Sequence, residues 1–131
     1  MGSFSDTVEN AILNKMFQRT AWADVTIWVG LSTEDPSDSG SNIAEPTAAS
    51  YGRQEASTSA WCDATAGEID NVAAIEFTTA VQSWCTISYV TFHDASTSGN
   101  MLGWAALNTA RDVTVGDALR FPVGGLVITQ D

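Results

Sequence analysis

The clearest pattern of apolar and polar positions lies near the start of the chain, in FSDTVENAILNKMFQR. Its apolar residues recur at the spacing of one helix face: Val8, Ile12, Leu13, Met16 and Phe17. Asp6 is followed three residues later by Glu9, as in a capping box. Lys15 and Arg19 fall in the last turn, where cations suit the helix dipole. The pattern predicts one helix over residues 6–19.

A period of two follows in DVTIWVGLS, which is typical of a half-buried strand. One side of this strand would carry Val25, Ile27, Val29 and Leu31, and the other Thr26, Trp28 and Gly30. Trp28 is therefore expected on the face opposite the core. Residues 34–48, EDPSDSGSNIAEPTA, combine two prolines with Ser, Asp and Gly and predict a long surface loop.

Beyond this loop, short apolar runs recur about every ten residues between turn signals, which is typical of all-β sandwiches and barrels. The runs are YGRQEAS, EIDNVAAIEF, CTISYVTFHD, NMLGWAALN, RDVTVGDALRF and GGLVITQ. We predict an all-β fold, a jelly-roll-like antiparallel β-sandwich with one short N-terminal α-helix. Residues 1–20 would form an N-terminal arm and helix and residues 21–131 the sandwich, within a single domain overall.

The run CTISYVTFHD has apolar residues on both faces, with Ile87 and Tyr89 on one and Val90 and Phe92 on the other. This pattern predicts a central strand covered on both sides, or one whose outer face meets another chain. The following STSGN, residues 96–100, supplies Gly and Asn for positive φ. We therefore interpret it as the turn of a hairpin.

The charge balance excludes some partners. Sixteen acidic and five basic residues give a formal net charge of −11, so no cationic surface is expected for nucleic acid. No stretch approaches the roughly twenty apolar residues of a membrane span. We predict neither direct nucleic-acid binding nor membrane insertion.

Two cysteines, Cys62 and Cys85, each follow a tryptophan and could lie on neighbouring strands close enough to pair. The start MGSFSDTVENA lacks the pattern of a secretory signal. We therefore expect folding in a reducing cytoplasm and favour two buried free thiols over a disulfide.

The chain carries few signs of catalytic or metal chemistry. His93 and Asp94 are adjacent in a strand pattern, so their side chains point to opposite faces and do not form a base–orienter pair. An EF-hand register begins at Asp35 but has Pro46 in its twelfth place. An irregular Ca²⁺ loop there stays open as an alternative. We predict no enzyme, no cofactor and no metal site; a solvated face is favoured for the carboxylates Glu68, Asp70 and Glu76.

Aromatic residues are numerous for this length: the five tryptophans are Trp22, Trp28, Trp61, Trp84 and Trp104. A small sandwich does not enclose all of them together with five phenylalanines. Since aromatic residues are enriched at protein interfaces, we expect one or two tryptophans to anchor a contact with another protein.

Several longer stretches resemble a family of small virion proteins of tailed double-stranded DNA phages, variously labelled tail fibre or head decoration proteins. The stretches are WVGLSTEDPSDSGSNIAEP, YGRQ, IEFTTAVQSWCTISYVTFHDASTSGNMLGWAAL and TVGDALRFPVGGLVITQD. One departure is YGRQ, where the family usually reads Gly-Tyr-Ala-Arg. The resemblance implies a role in virion assembly and no catalytic role for His93. The hairpin turn of the family matches DASTSGN in this chain.

The two family labels place the protein at different ends of the particle. A strongly anionic protein belongs on the outer capsid surface or the tail, away from packaged DNA. Compactness favours a head decoration (cement) protein that stabilises capsid subunit junctions, as a homotrimer matched to threefold symmetry. The alternative is a tail-associated fibre, receptor-binding or adaptor protein.

The partners expected from this interpretation are further copies of the chain and the major capsid protein, or alternatively tail proteins. The protein would be made in the host cytoplasm and incorporated into the virion. We predict that its interface includes an exposed Phe4 ahead of the helix and five further residues, namely Lys15, Arg19, Trp22, Trp28 and Arg53.

Overall fold

The computed structural model describes residues 3–17, 19 and 24–129, and its regular structure consists mainly of β-strands with one α-helix. In chain order the elements are β1 (Ser3–Phe4), α1 (Asp6–Met16), β2 (Ile27–Ser32), β3 (Gln54–Ala56), β4 (Glu68–Asp70), β5 (Ile75–Glu76), β6 (Cys85–His93), β7 (Met101–Val113), β8 (Arg120–Phe121) and β9 (Val127–Thr129). A 3₁₀ turn at Thr58–Ala60 follows β3. The loop predicted over residues 34–48 contains no strand or helix and is confirmed.

The strands form one larger sheet and two small ones. Five strands pair in the order β1-β7-β6-β2-β3, while β4 pairs with β9 and β5 with β8. Every pairing is antiparallel. The all-β fold with one short helix is confirmed, and the jelly-roll arrangement stays a prediction.

The central strand β6 lies between β2 and β7, as predicted, but its two faces differ from the sequence pattern. The pairing register shifts between Ile87 and Tyr89, whose partners on β7 are Arg111 and Ala106. Because this bulge interrupts the alternation, Ile87 and Val90 both lie in the core cluster. Grouping Ile87 with Tyr89 on one face was therefore wrong.

The inner face of the large sheet is covered by an apolar core. Val29 and Leu31 of β2 pack there with Trp84 and Phe77, all almost fully buried. The ring centroids of Phe77 and Trp84 lie 6.3 Å apart, close to edge-to-face geometry. Burial of each such large side chain stabilises the fold by roughly 1.5–3 kcal/mol.

The N-terminal residues are part of this fold. Ser3 and Phe4 pair with Trp104 and Gly103 of β7, and the Ser5 amide donates to the Leu102 carbonyl oxygen at 3.0 Å. The expectation that Phe4 is exposed was wrong, because its pairing in β1 leaves it half-buried. The predicted boundary between residues 20 and 21 lies outside the described residues.

Helix α1 is shorter than predicted and differently capped. It ends at Met16 rather than at residue 19, and Ser5, not Asp6, is its N-cap residue. The Ser5 carbonyl oxygen accepts hydrogen bonds from the amides of Val8 and Glu9. The Ser5 hydroxyl is occupied elsewhere, since it donates to the Met101 carbonyl oxygen.

The second half of the predicted apolar face of α1 is uncovered. Val8 is buried, whereas Leu13, Met16 and Phe17 are exposed. The helix contacts β7 and β1, and this contact covers only its first turns.

A buried asparagine organises the end of the chain against β4. The Asn71 side chain donates to the carbonyl oxygens of Ala73 and Pro122, both at 2.9 Å, and accepts from the Leu126 amide at 2.8 Å. Residues 122–126 therefore fold around the fully buried side-chain amide of Asn71, and this arrangement places β9 beside β4.

We expect Asn71→Ala to destabilise the fold by about 2–4 kcal/mol, because it leaves the buried groups that Asn71 bonded without partners. The matched control is Asn108→Ala at an exposed site, which should change stability by under about 0.5 kcal/mol. Urea unfolding of both variants measures the difference. Equal stabilities would contradict the role of Asn71.

Candidate functional site

Three segments meet at one end of the large sheet. They are the first turn of α1, the loop 34–48 and the hairpin turn 94–100, and they surround a cleft of about 320 Å³. We call it the hairpin cleft; its lining includes Thr7, Ser39, Glu45, Arg53, His93 and Asn100. The hairpin predicted between the strands that became β6 and β7 is confirmed.

Arg53 joins two of these segments. Its guanidinium donates to Glu45 through two parallel bonds, from Nε to Oε1 at 2.9 Å and from Nη2 to Oε2 at 2.8 Å. Its Nη1 donates to the carbonyl oxygens of Ala95 at 2.9 Å and Ser98 at 2.8 Å. We call this set of bonds the Arg53 clamp, and it fixes the loop 34–48 against the hairpin turn.

The Arg53 clamp is largely shielded from water. The side chain of Arg53 is 6% exposed and that of Glu45 is 27% exposed. Burial opposes ionisation of Glu45, but hydrogen bonds from Arg53 and Tyr51 outweigh it and lower the pKa of this carboxyl below 4.5. Glu45 is therefore a carboxylate at neutral pH, and its charge is matched by the guanidinium.

Tyr51 ties the clamp to β2. Its hydroxyl donates to Glu45 Oε1 at 2.7 Å and accepts from the Leu31 amide at 3.0 Å. Burial, and then the adjacent Glu45 charge, raise the pKa of Tyr51, so the phenol stays protonated as a donor. Its ring packs on Trp84 with centroids 5.4 Å apart, which links the clamp to the core.

His93 lies beneath the clamp on the outer face of the sheet. It is 1% exposed, and its Nε2 lies 2.9 Å from Thr91 Oγ1. A Cβ added at Gly30 would lie 2.7 Å from Thr91 Oγ1 and 3.3 Å from His93 Cδ2, so this close packing requires glycine. Burial and then the Arg53 charge lower the pKa of His93 from 6.5 to about 4, so the imidazole is neutral at neutral pH.

Asp94 closes the hairpin turn instead of orienting His93. Its carboxylate accepts from the Asn100 amide at 2.7 Å and from the Asn100 side chain at 2.9 Å. Burial opposes its ionisation, but these bonds lower the pKa of Asp94. Positive φ falls on Ser98 and Gly99, at 53° and 69°, so the expectation that an Asn would adopt it was wrong.

The bonds of the Arg53 clamp are internal to the chain and hold the loop 34–48 and the hairpin turn together. In the described part of the chain, every buried side-chain nitrogen or oxygen has a hydrogen-bond partner. The His93 ring is covered, and the Asp94 carboxylate accepts a hydrogen bond from the Asn100 side chain.

The serines of the loop 34–48 hydrogen-bond one another. Ser39 Oγ donates to Ser41 Oγ at 3.0 Å, and the Asp35 carboxylate accepts from the Ser37 amide at 2.9 Å. Within the described residues, no three His, Cys, Asp or Glu side chains are grouped to hold a metal ion.

The residues predicted for an interface are spread over the molecule. Lys15 and Arg19 are exposed at the end of α1, and Trp28 is half-buried on β2 opposite His93. Trp22 lies outside the described residues. Arg53 is held inside the clamp and is largely buried. Its role in an interface stays a prediction, and this burial argues against it.

The other described tryptophans are buried or half-buried, and the expectation that one or two tryptophans anchor an interface stays a prediction. Trp84 is in the core, Trp61 packs on Phe92, and Trp104 packs on Tyr89 with centroids 5.9 Å apart. Within the described residues, the exposed large apolar side chains are three at the end of α1 and a set of valines: Val25, Val72, Val81, Val115, Val123 and Val127. Valine occurs in buried strands too, so the sequence carried no signal for their exposure.

Both cysteines are free thiols, as favoured from the sequence. The expectation that they are buried was wrong, because Cys85 is exposed at the start of β6 and Cys62 is half-buried. Cys62 Sγ accepts a hydrogen bond from the Asp70 amide at 3.3 Å.

The fold and the clamp define the class of the molecule, a β-rich structural module whose loop end is stiffened by internal charge pairing. In the described ranges no helix has the length and apolarity to cross a membrane. The family model described as Podophage GP4 fiber I protein gp80 matches residues 3–129. The chain belongs to this family and is a phage virion structural protein, which confirms the resemblance noted from its sequence. No curated protein matched the chain.

We expect Arg53→Met to destabilise the fold by roughly 2–4 kcal/mol, because Glu45 and two carbonyl groups lose their donor in a shielded site. Arg120→Met is the matched control. Its pair with Glu76 is exposed at 3.7 Å, so its loss should cost under about 1 kcal/mol. Urea unfolding compares the two, and similar losses would contradict the clamp.

His93 makes stability depend on pH. Between pH 6.5 and about 4 the unfolded chain binds more protons at His93 than the folded chain, so stability falls as pH falls. The full effect is on the order of 3 kcal/mol. We expect His93→Gln to flatten the loss measured by urea unfolding between pH 6.5 and about 5. The pKa values of Glu45 and Asp94 are lowered from 4.5 and 3.8, so the stability that these two carboxylates contribute is lost mainly at lower pH. An unchanged slope in this variant would refute the assignment.

Proposed function

We propose that the protein is a non-enzymatic component of a podophage tail fibre, attached through its surface to other tail proteins. The family match over residues 3–129 is the observation that carries this proposal, because it includes every described strand and the helix. The tail-associated interpretation, which the sequence left as the alternative, therefore becomes the main one.

The physical character of the chain fits a location away from packaged DNA. Its net charge of −11 repels phosphate, so a site on the tail or outside the head is favoured over the inner capsid wall. The bonds of the Arg53 clamp are internal, which supports a rigid protein that presents a surface to its partners. In this proposal the protein uses no cofactor or metal and catalyses no reaction.

Decoration of the head is the second candidate. The supporting observation is a β-rich fold with no extended stalk among the described residues, which suits a cap over capsid subunit junctions. In that case the main partners would be the major capsid protein and, in a homotrimer, two further copies of the chain. In both cases the protein is made in the host cytoplasm and ends in the virion.

Immunogold labelling of purified virions, combined with the copy number from quantitative mass spectrometry, tests the proposal. We expect gold at the tail and a copy number that is a small multiple of the tail symmetry. Gold over the whole head, with a copy number that scales with the capsid subunits and saturable binding to bare capsids, would replace the fibre assignment by decoration. Absence of the protein from the virion would overturn both.

A further inference from the structure

A second cleft lies at the far end of β7 from the hairpin cleft. The hairpin cleft is lined by Met101, the first residue of β7, and this one by Val113, the last. Its volume is about 580 Å³, within the range of roughly 300–1,000 Å³ that is usual for small-ligand sites. We call it the bulge cleft; its lining includes Leu107, Asn108, Arg111, Asp117, Leu119 and Arg120.

An irregularity in β7 forms one wall of the bulge cleft. Two positions along β6 correspond there to five along β7, so residues 107–110 lie outside the described pairing with β6. Such a bulge gives up regular pairing and re-aims side chains, and bulges are over-represented next to functional sites. Three of the bulged residues, Leu107, Asn108 and Thr109, line the cleft.

The polar side chains of the bulge cleft are free to bond a ligand. Asn108, Thr109 and Arg111 are exposed, and within the described part of the chain their side chains make no hydrogen bond or ion pair. The Asp117 carboxylate accepts from the amide and the hydroxyl of Thr114 through Oδ2, at 2.9 and 3.0 Å, which leaves Oδ1 to accept a further bond. The cleft therefore offers both donors and acceptors.

The charges that line the bulge cleft are balanced. Arg111 and Arg120 line it, but Asp112 and Asp117 do so too, and Arg120 also lies 3.7 Å from Glu76. An anion would therefore meet acids as well as cations, and a cation would meet two guanidinium groups. Hydroxyl groups suit such a lining better, because each of them donates and accepts.

The bulge cleft also has apolar side chains packed beneath its polar ones. Leu107 and Leu119 are half-buried against the core, and Phe121 is 9% exposed. A sugar ring has both matching features, since its C–H groups form an apolar face and its hydroxyl groups surround the ring. An extended peptide is disfavoured, because strand addition uses a regular sheet edge and β7 is bulged at this place.

We propose that the bulge cleft binds a neutral saccharide. One sugar ring lies on Leu107 and Leu119, the Arg111 guanidinium donates to neighbouring hydroxyl oxygens, and Asn108 and Asp117 accept from hydroxyl groups. This proposal goes beyond the fibre assignment and holds for a tail or a head location, so labelling of virions and sugar binding can fail independently.

Two probes test the site with the full-length chain: an array of short neutral oligosaccharides, and the surface polysaccharide of the bacterium on which the phage is grown. Nitrogen–proton NMR spectra of the isotope-labelled chain then follow titration with the best binder. We expect the amide signals that shift to belong to residues 107–111 and 117–121. Since the ligand is neutral, the affinity should change by less than about twofold between about 50 and 500 mM salt.

Two substitutions in the cleft separate direct bonding from a loss of folding. Arg111→Ala and Asn108→Ala should each weaken binding by roughly tenfold or more, because each removes hydrogen bonds to the sugar. The matched controls are Arg19→Ala and Asn14→Ala, which change the same residue types at exposed positions at the end of α1. The controls should bind as the unmodified chain does, and the melting temperature verifies that all four variants fold.

Absence of binding to both probes at millimolar concentration would overturn the proposal. So would signal shifts confined to residues outside the cleft, or equal binding by the cleft variants and their controls. An affinity that falls steeply with salt would indicate a charged ligand and contradict it. Cleft signals that shift only when other virion proteins are added would assign the site to a protein partner instead.

Discussion

The structure depends on covering both faces of one antiparallel sheet with a short chain. On the inner face this is done by a core around Trp84 and Phe77. On the outer face, the loop 34–48 contains no strand or helix and is held internally by turn hydrogen bonds, such as that from the Asn42 amide to the Pro36 carbonyl oxygen. Further fixed points tie this loop to the hairpin turn. The Arg53 clamp supplies them, because one guanidinium bonds a loop carboxylate and two carbonyl oxygens of the hairpin turn. A shielded cation is stabilised here by a matched charge and four hydrogen bonds.

The clamp also sets the environment of the chain's only histidine. His93 is packed against Gly30 and Thr91, close to the positive charge of Arg53, and both burial and that charge keep it neutral. Its neighbour Asp94 is occupied in closing the turn with Asn100. The polar groups at this end of the sheet are therefore occupied by bonds within the chain.

Much of the fold follows from local pattern, and much of the site does not. The existence of the strands β2 and β6, the hairpin turn into β7 and the start of α1 could be predicted from apolar spacing and turn residues. The pairing of Glu45 with Arg53 crosses an irregular loop, where no period constrains which acid meets the cation. The bulge beside Ile87 depends on how two strands align, which neither strand encodes alone. The exposure of Leu13, Met16 and Phe17 depends on how much of α1 the sheet covers, which is a tertiary property.

Amide hydrogen exchange of the intact chain, followed by mass spectrometry, tests the central claim that the clamp makes the loop 34–48 and the turn 94–100 one rigid unit. The account predicts that peptides from both segments are protected from exchange, and that both lose protection together in Arg53→Met while β4 and β9 keep theirs. Rapid exchange of either segment in the unmodified chain, or loss of protection in one without the other, would contradict it.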